Sequence, residues 1–207
     1  EYVITNPDTP TPWNNVIANP RFGTIVSNNE CGFTYSYNSQ MFKVTSWTND
    51  IVLNDKSEGI RINDVQVDPK IARHGFGYST FIHEGKDYEL TTTQFVANED
   101  TIKFYKSKLK NNTSKIKKYK VTFWINPTFG PNEEKSSRYL LSDYYEKMNA
   151  VLTRNVYNID FSHITAFITS TLPIKSYSID RVIMKSIDVE FELAPNEEKE
   201  FLKYLEK

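Results

Sequence analysis

Cysteine is almost absent. The single residue, Cys31, excludes an internal disulfide, so the fold does not depend on an oxidising compartment. A thiol needs a base beside it to act as a nucleophile, and nothing in the sequence positions one, so Cys31 is expected to be a buried or half-buried structural residue. Glycine is scarce, seven in 207 residues, which leaves Asn to fill left-handed turn positions. Gly75 and Gly77 are not followed by a helical pattern, so phosphate-loop chemistry fails. No apolar run is long enough to span a bilayer as a helix. Neither sign of charge dominates: 25 basic and 26 acidic residues leave a net −1 and no reason to expect nucleic acid. His74, His83 and His163 are too scattered for a metal cluster. Internal repeats, low-complexity tracts and long linkers are also missing, so 1–207 reads as one domain. The chain begins at Glu1 without Met or a leader-like stretch, and reads as a piece of a longer protein.

Aromatic residues, mostly Tyr and Phe, are abundant and suit strands better than helices. The hydrophobic period is two along most of the chain. Residues 60–67 form two strands or one bulged strand around Asn63-Asp64. Segments 72–83 and 87–96 read as a hairpin, with His83 at its turn. On 102–109, Ile102, Phe104 and Lys106 alternate with Lys103, Tyr105 and Ser107; on 119–125, Tyr119, Val121, Phe123 and Ile125 share a face. LLSDYYEKMNAVL reads as two strands or an amphipathic helix. The tail 196–207, with an Asn cap, early acids and later lysines, reads by itself as a helix. Twelve to sixteen short strands predict an all-β fold, an antiparallel two-sheet β-sandwich with at most one or two short helices.

Residues 9–50 carry Trp13 and Trp47, further aromatics and many Asn between β-prone runs. An apolar ring covers the C–H face of a pyranose, and Asn offers its hydroxyls a donor and an acceptor. The same materials also build an aromatic core with Asn turns. Glycosidic chemistry needs two acids across a cleft, one with a raised pKa. The acids Asp55, Glu58, Asp87, Glu99, Asp100, Glu133 and Glu134 fall in polar turns, where they stay hydrated. Eight lysines between Lys103 and Lys120, with no acid among them, suggest a basic face that guards edge strands or meets a partner. His74, beside Gly75 and Gly77, could approach a ligand closely or serve as a hydrogen-bonded structural group.

PWNNVIANPRFGTIVSNNECGFTYSYNSQ followed by WTND resembles the N-terminal β-sandwich of the inverting glycoside phosphorylases of glycoside hydrolase family 94. The branch with cyclic β-1,2-glucan synthases and 1,2-β-oligoglucan phosphorylases is the nearer likeness; cellobiose and chitobiose phosphorylases are more distant. ARHGFGYSTFIHE, LTTTQFVANEDTIKFYKSKLKNNTSK, LTRNVYNIDFSHITAFITS and VEFELAPNEEKE carry it across nearly the whole chain. The resemblance implies a large β-supersandwich joined to an (α/α)6 barrel that holds the catalytic Asp and the phosphate site. The chain alone is then expected to be non-catalytic and to need no cofactor, inorganic phosphate being a co-substrate of the parent enzyme. The implied partners are that barrel, a β-glucan oligosaccharide and a second copy in a homodimer. The implied location is cytoplasmic, or the cytoplasmic side of the inner membrane for a synthase. Site candidates for orienting sugar or holding an interface are Trp13, Asn14, Asn15, Asn19, Arg21, Asn38, Trp47, Asn49, Asp50, Arg73 and His74. The sequence departs from the family pattern at Tyr35, at Gln40-Met41-Phe42 and at Ser46, which weakens a direct sugar contact at 40–46. It departs also at 201–207, where the resemblance implies an apolar strand and the local pattern a short helix.

Overall fold

The computed structural model describes residues 1–48, 56–180 and 184–206; Asn49, Asp50 and Asp55 lie outside them. Its strands, in chain order, are β1 (Tyr2–Ile4), β2 (Asn14–Ala18), β3 (Phe22–Ser27), β4 (Gly32–Ser36), β5 (Lys43–Thr45), β6 (Glu58–Ile62) and β7 (Val65–Gln66). There follow β8 (Ile71–Gly75), β9 (Tyr78–Glu84), β10 (Tyr88–Val96), β11 (Ile102–Asn111), β12 (Lys117–Ile125) and β13 (Pro127–Gly130). A one-turn helix, α1 (Glu133–Ser136), precedes β14 (Leu140–Tyr145), β15 (Ala150–Asn155), β16 (Ala166–Ser170), β17 (Ser176–Ser178), β18 (Lys185–Leu193) and β19 (Glu198–Glu206). No helix among the described residues is long and apolar enough to cross a membrane.

The fold is all-β, an antiparallel supersandwich. A nine-stranded sheet runs β1-β8-β9-β10-β11-β19-β16-β15-β14, and two five-stranded ladders run β17-β18-β12-β6-β7 and β13-β5-β4-β3-β2. The expected two sheets are thus three ladders. The chain passes from one small ladder to the other at Asn126, between Ile125 of β12 and Pro127 of β13; proline has no N–H with which to continue the first. Asn126 stitches the junction, donating to Ser57 O at 2.6 Å and accepting from Ser46 N at 2.9 Å. Alternation puts Tyr119, Val121, Phe123 and Ile125 of β12 into one core with Leu90, Tyr105, Leu109, Phe201 and Leu205 of the large sheet.

The expected pairing of 72–83 with 87–96 is present as β9 against β10, while other readings are refined, settled or changed. Segment 72–83 is a hairpin in itself, β8 and β9, because Gly77 takes φ +80° after the exposed Phe76. LLSDYYEKMNAVL is β14, a 3-10 turn and β15, reversed by Asn149 at φ +51°. The loop 28–31 uses Glu30, not Asn, at positive φ. The tail is β19 and not a helix. It fills the gap between β11 and β16, whose unmet backbone groups outweigh the local helical preference. In that position Glu200 reaches Lys106 at 3.1 Å and Glu198 reaches Lys108 at 3.2 Å. Glu190 pairs with Lys118, Asp87 with Lys117, and Asp64 with Lys120. Most of the basic run is therefore engaged in ion pairs with neighbouring strands and turns and is not a free cationic face.

One lysine of the run lies inside. Lys103 of β11 is fully buried and bonds Glu58 of β6, which is buried too and not a hydrated turn acid. Lys103 also donates to Thr24 Oγ1 of β3 at 2.9 Å, and Thr34 of β4 donates to the Glu58 carboxylate at 3.0 Å. One buried pair thus touches all three ladders. Burial pulls Lys103 below its ordinary pKa while the carboxylates of Glu58 and Glu30 act in the opposite sense. Nearby, His83 is buried on β9 and not at a turn, with Nε2 3.5 Å from Glu30 Oε1. Burial raises the Glu30 pKa, but His83, Lys56 and Lys103 outweigh it and hold the carboxyl below its usual value.

Replacing either member of the central pair strands the other. Lys103→Met or Glu58→Met should each lower the urea-unfolding free energy by about 3–5 kcal/mol, and the double variant should recover most of that loss; equal losses that simply add would exclude coupling. Lys203 of β19 is also fully buried, against the Phe123 and Phe201 rings, with no hydrogen-bond partner for Nζ among the described residues. Burial lowers its pKa from 10.5 to about 7. The unfolded chain then holds a proton that the folded one lacks, so stability should fall as pH drops from 10.5 toward about 7 and level off below. Lys203→Met should flatten that profile and raise stability at neutral pH by a few kcal/mol, read by urea unfolding against pH.

Candidate functional site

Asn14 and Asn15 begin the edge strand β2, and His74 is the penultimate residue of the nearby β8. With Trp13, Tyr2 and Phe76 they line an open groove of about 510 Å³. Trp13 is 53% exposed, yet its backbone is fixed: its N–H donates to Asn28 Oδ1 at 2.7 Å and its carbonyl accepts from Asn28 N at 3.1 Å. His74 Nε2 lies 3.1 Å from the same carbonyl, which can only accept, so Nε2 carries the proton and Nδ1 accepts from Ser79 Oγ at 2.9 Å. Burial lowers the His74 pKa and its bond to Trp13 partly offsets this, so the neutral ring is favoured. Asn15 Nδ2 completes the relay at 3.0 Å from Ser79 Oγ, and also donates to Gly75 O and Tyr78 O. His74 and Asn15 are thus braces beneath the groove, and Trp13, Phe76 and Tyr2 are its apolar wall.

The other candidates do not join this groove. Arg73 points to the opposite face of β8 and is exposed. Asn19 accepts from Arg21 N and Phe22 N and donates to Ala97 O and Asp100 O at 2.8 Å, while Arg21 bonds Glu99 O. Both clamp the 97–100 turn. Asn38 caps its own loop by accepting from Gln40 N and Met41 N at 2.9 Å. Trp47 stacks on Phe33 at 5.0 Å. Of the amides read as sugar ligands, only Asn14 has a side chain free of partners among the described residues.

A larger groove, about 770 Å³, is lined by none of the site candidates that the sequence singles out. Met41, Arg138, Tyr139, Tyr157, Ile159 and Asp160 line it. The Tyr139 and Tyr157 rings stack at 4.4 Å and 18° although both are exposed. The signal was present in RNVYNID, an aromatic residue between two Asn, inside a stretch that resembles the family. Asn155 and Asn158 both donate to Phe129 O, at 3.1 and 3.2 Å, and fix that loop.

An antiparallel supersandwich with aromatic grooves at its loop ends is the class that this geometry defines. The chain belongs to glycoside hydrolase family 94: residues 1–183 match the model described as "Glycosyl hydrolase 94, supersandwich domain". It is 30% identical over 188 residues to cyclic beta-(1,2)-glucan synthase NdvB of Rhizobium meliloti (strain 1021), spanning 84% of this chain and 7% of that protein. It is 25% identical over 205 residues to N,N'-diacetylchitobiose phosphorylase of Vibrio furnissii, spanning 87% of this chain and 25% of that protein. In fold it is similar to a galactose mutarotase-like protein from Lactobacillus casei ATCC 334, with a TM-score of 0.56, 10% identity, and coverage of 94% of this chain and 99% of that one.

Asn15→Ala should cost about 1–2 kcal/mol in urea unfolding, because β2 loses its tie to the β8–β9 hairpin. Trp13→Ala, which empties only the exposed wall, should cost under about 1 kcal/mol. The reverse order would show that Trp13 is the structural member.

Proposed function

We propose that the chain is the non-catalytic accessory sandwich of a β-glucan phosphorylase or cyclic β-1,2-glucan synthase. It packs on the catalytic (α/α)6 barrel of the same polypeptide, borders the glucan bound there, and supports a homodimer. The family match over 1–183 carries this reading. Tyr2, Trp13 and Phe76 suit the barrel contact, since they expose apolar side chains beside braced backbone. Among the described residues Asn14 and Arg73 have polar side chains without partners that can serve the barrel contact, and Asn49 and Asp50 are assigned to it by resemblance. Inorganic phosphate is a co-substrate of the whole protein at the barrel, and the chain is placed on the cytoplasmic side.

Purely structural bracing with no glycan affinity is the second reading, favoured by the engagement of Asn15, Asn19 and Asn38 with backbone. Calorimetric titration of the chain with β-1,2-gluco-oligosaccharides separates the two. Saturable binding near millimolar sugar, about −4 kcal/mol, is expected, without phosphate-dependent release of glucose 1-phosphate. Absence of binding would leave bracing alone; turnover would contradict both.

A further inference from the structure

We propose that the groove lined by Met41, Arg138, Tyr139, Tyr157, Ile159 and Asp160 binds a short β-linked gluco-oligosaccharide, with one pyranose stacked on Tyr157 and its hydroxyls held by Arg138 and Asp160. The inference rests on the carbohydrate role proposed for the domain, and assigns that role to a surface other than the Trp13 groove.

The groove is built before any ligand arrives. Phe129 takes φ +48°, a left-handed conformation unfavourable for a bulky residue, and its carbonyl collects the amides of Asn155 and Asn158. Asn155 Oδ1 accepts from Tyr157 N at 3.0 Å, which sets the Tyr157 backbone. Asn158 Oδ1 accepts from Asp160 N at 3.0 Å and Phe161 N at 2.9 Å. Phe161 packs at 4.4 Å on the buried Phe42, which meets Phe129 edge-on at 6.1 Å. The exposed tyrosine pair therefore stands on an anchored loop, and Tyr157 remains 70% exposed.

The polar lining points to a neutral, hydroxyl-rich ligand. Arg138 and Lys135 are matched by Glu134 and Asp160, and none of these four side chains has a hydrogen-bond or ion-pair partner among the described residues. Balanced charge gives a polyanion no net attraction. A sugar hydroxyl both donates and accepts, so it can serve a guanidinium and a carboxylate together. The aromatic face takes the apolar side of the ring, and a volume of about 770 Å³ suits a short oligomer in an open cleft.

The test is calorimetric titration of the 207-residue chain and its variants with β-1,2-linked glucotriose. Tyr157→Ala should weaken binding about tenfold, Arg138→Ala about fivefold, and Tyr157→Phe, which keeps the ring, less than about twofold. Trp13→Ala should bind as the parent does. Unchanged affinity in both Tyr157→Ala and Arg138→Ala, or a loss confined to Trp13→Ala, overturns this site and leaves the carbohydrate role standing. No saturable binding by the parent chain at about 50 mM sugar overturns both. Affinity lost equally in Tyr157→Ala and Tyr157→Phe would overturn the stacking role.

Discussion

The contact between Lys103 and Glu58 is the constraint on which the architecture turns. A charged pair without water is tolerated only if every remaining polar atom finds a partner. Thr24 and Thr34 meet that demand, and they stand on a third ladder. The large sheet supplies the cation, one small ladder the carboxylate, and the other the hydroxyls. An apolar core would tolerate sliding between layers more readily than this arrangement, which has one register in which all groups are satisfied. In the 28–31 loop, Glu30 has His83 at 3.5 Å and Lys56 at 3.8 Å, a looser cluster in which the buried His83 ring has no hydrogen-bond partner among the described residues.

Fixing the layers fixes the loops at their ends. The Trp13 groove lies where β2 meets the β8–β9 hairpin, and the relay through Asn15, Ser79 and His74 ties the two together. The Tyr139–Tyr157 groove rests on Phe129, the strained residue of β13, just past the junction at Asn126. The two surfaces differ in character. One is an apolar wall over buried braces, suited to another protein surface; the other is a cleft whose charges of both signs have no partner among the described residues, suited to hydroxyl groups.

Much of this was legible in the residues. Alternation in 102–109 and 119–125 located β11 and β12, and the family wording located the fold. Alternation does not say which face is inward, however. On β11 it placed Lys103 with Tyr105 and Ser107, and a lysine is ordinarily the outward mark. Its partner stands 45 residues away on another ladder, beyond any local pattern. The tail shows the same limit: acids before lysines describe a helix locally, but the slot between β11 and β16 decides. At the sites, Trp13, Asn14, Asn15 and His74 were separate candidates, and nothing local in the sequence sets β2 beside the β8–β9 hairpin. The roles of the amides could not, because Asn15 and Asn19 act on backbone 60 or more residues distant. Tyr139 and Tyr157 come together only through the turn of β14 against β15.

The central claim, that a rigid aromatic cleft and not the tryptophan stretch meets the glucan, is tested most directly by mapping amide and indole NMR shifts of the chain during titration with β-1,2-linked glucotriose. The account predicts saturable shifts at Met41, Arg138, Tyr139 and 157–161, with the Trp13 indole N–H unmoved. Shifts centred on Trp13 and His74, or none at saturating sugar, would contradict it.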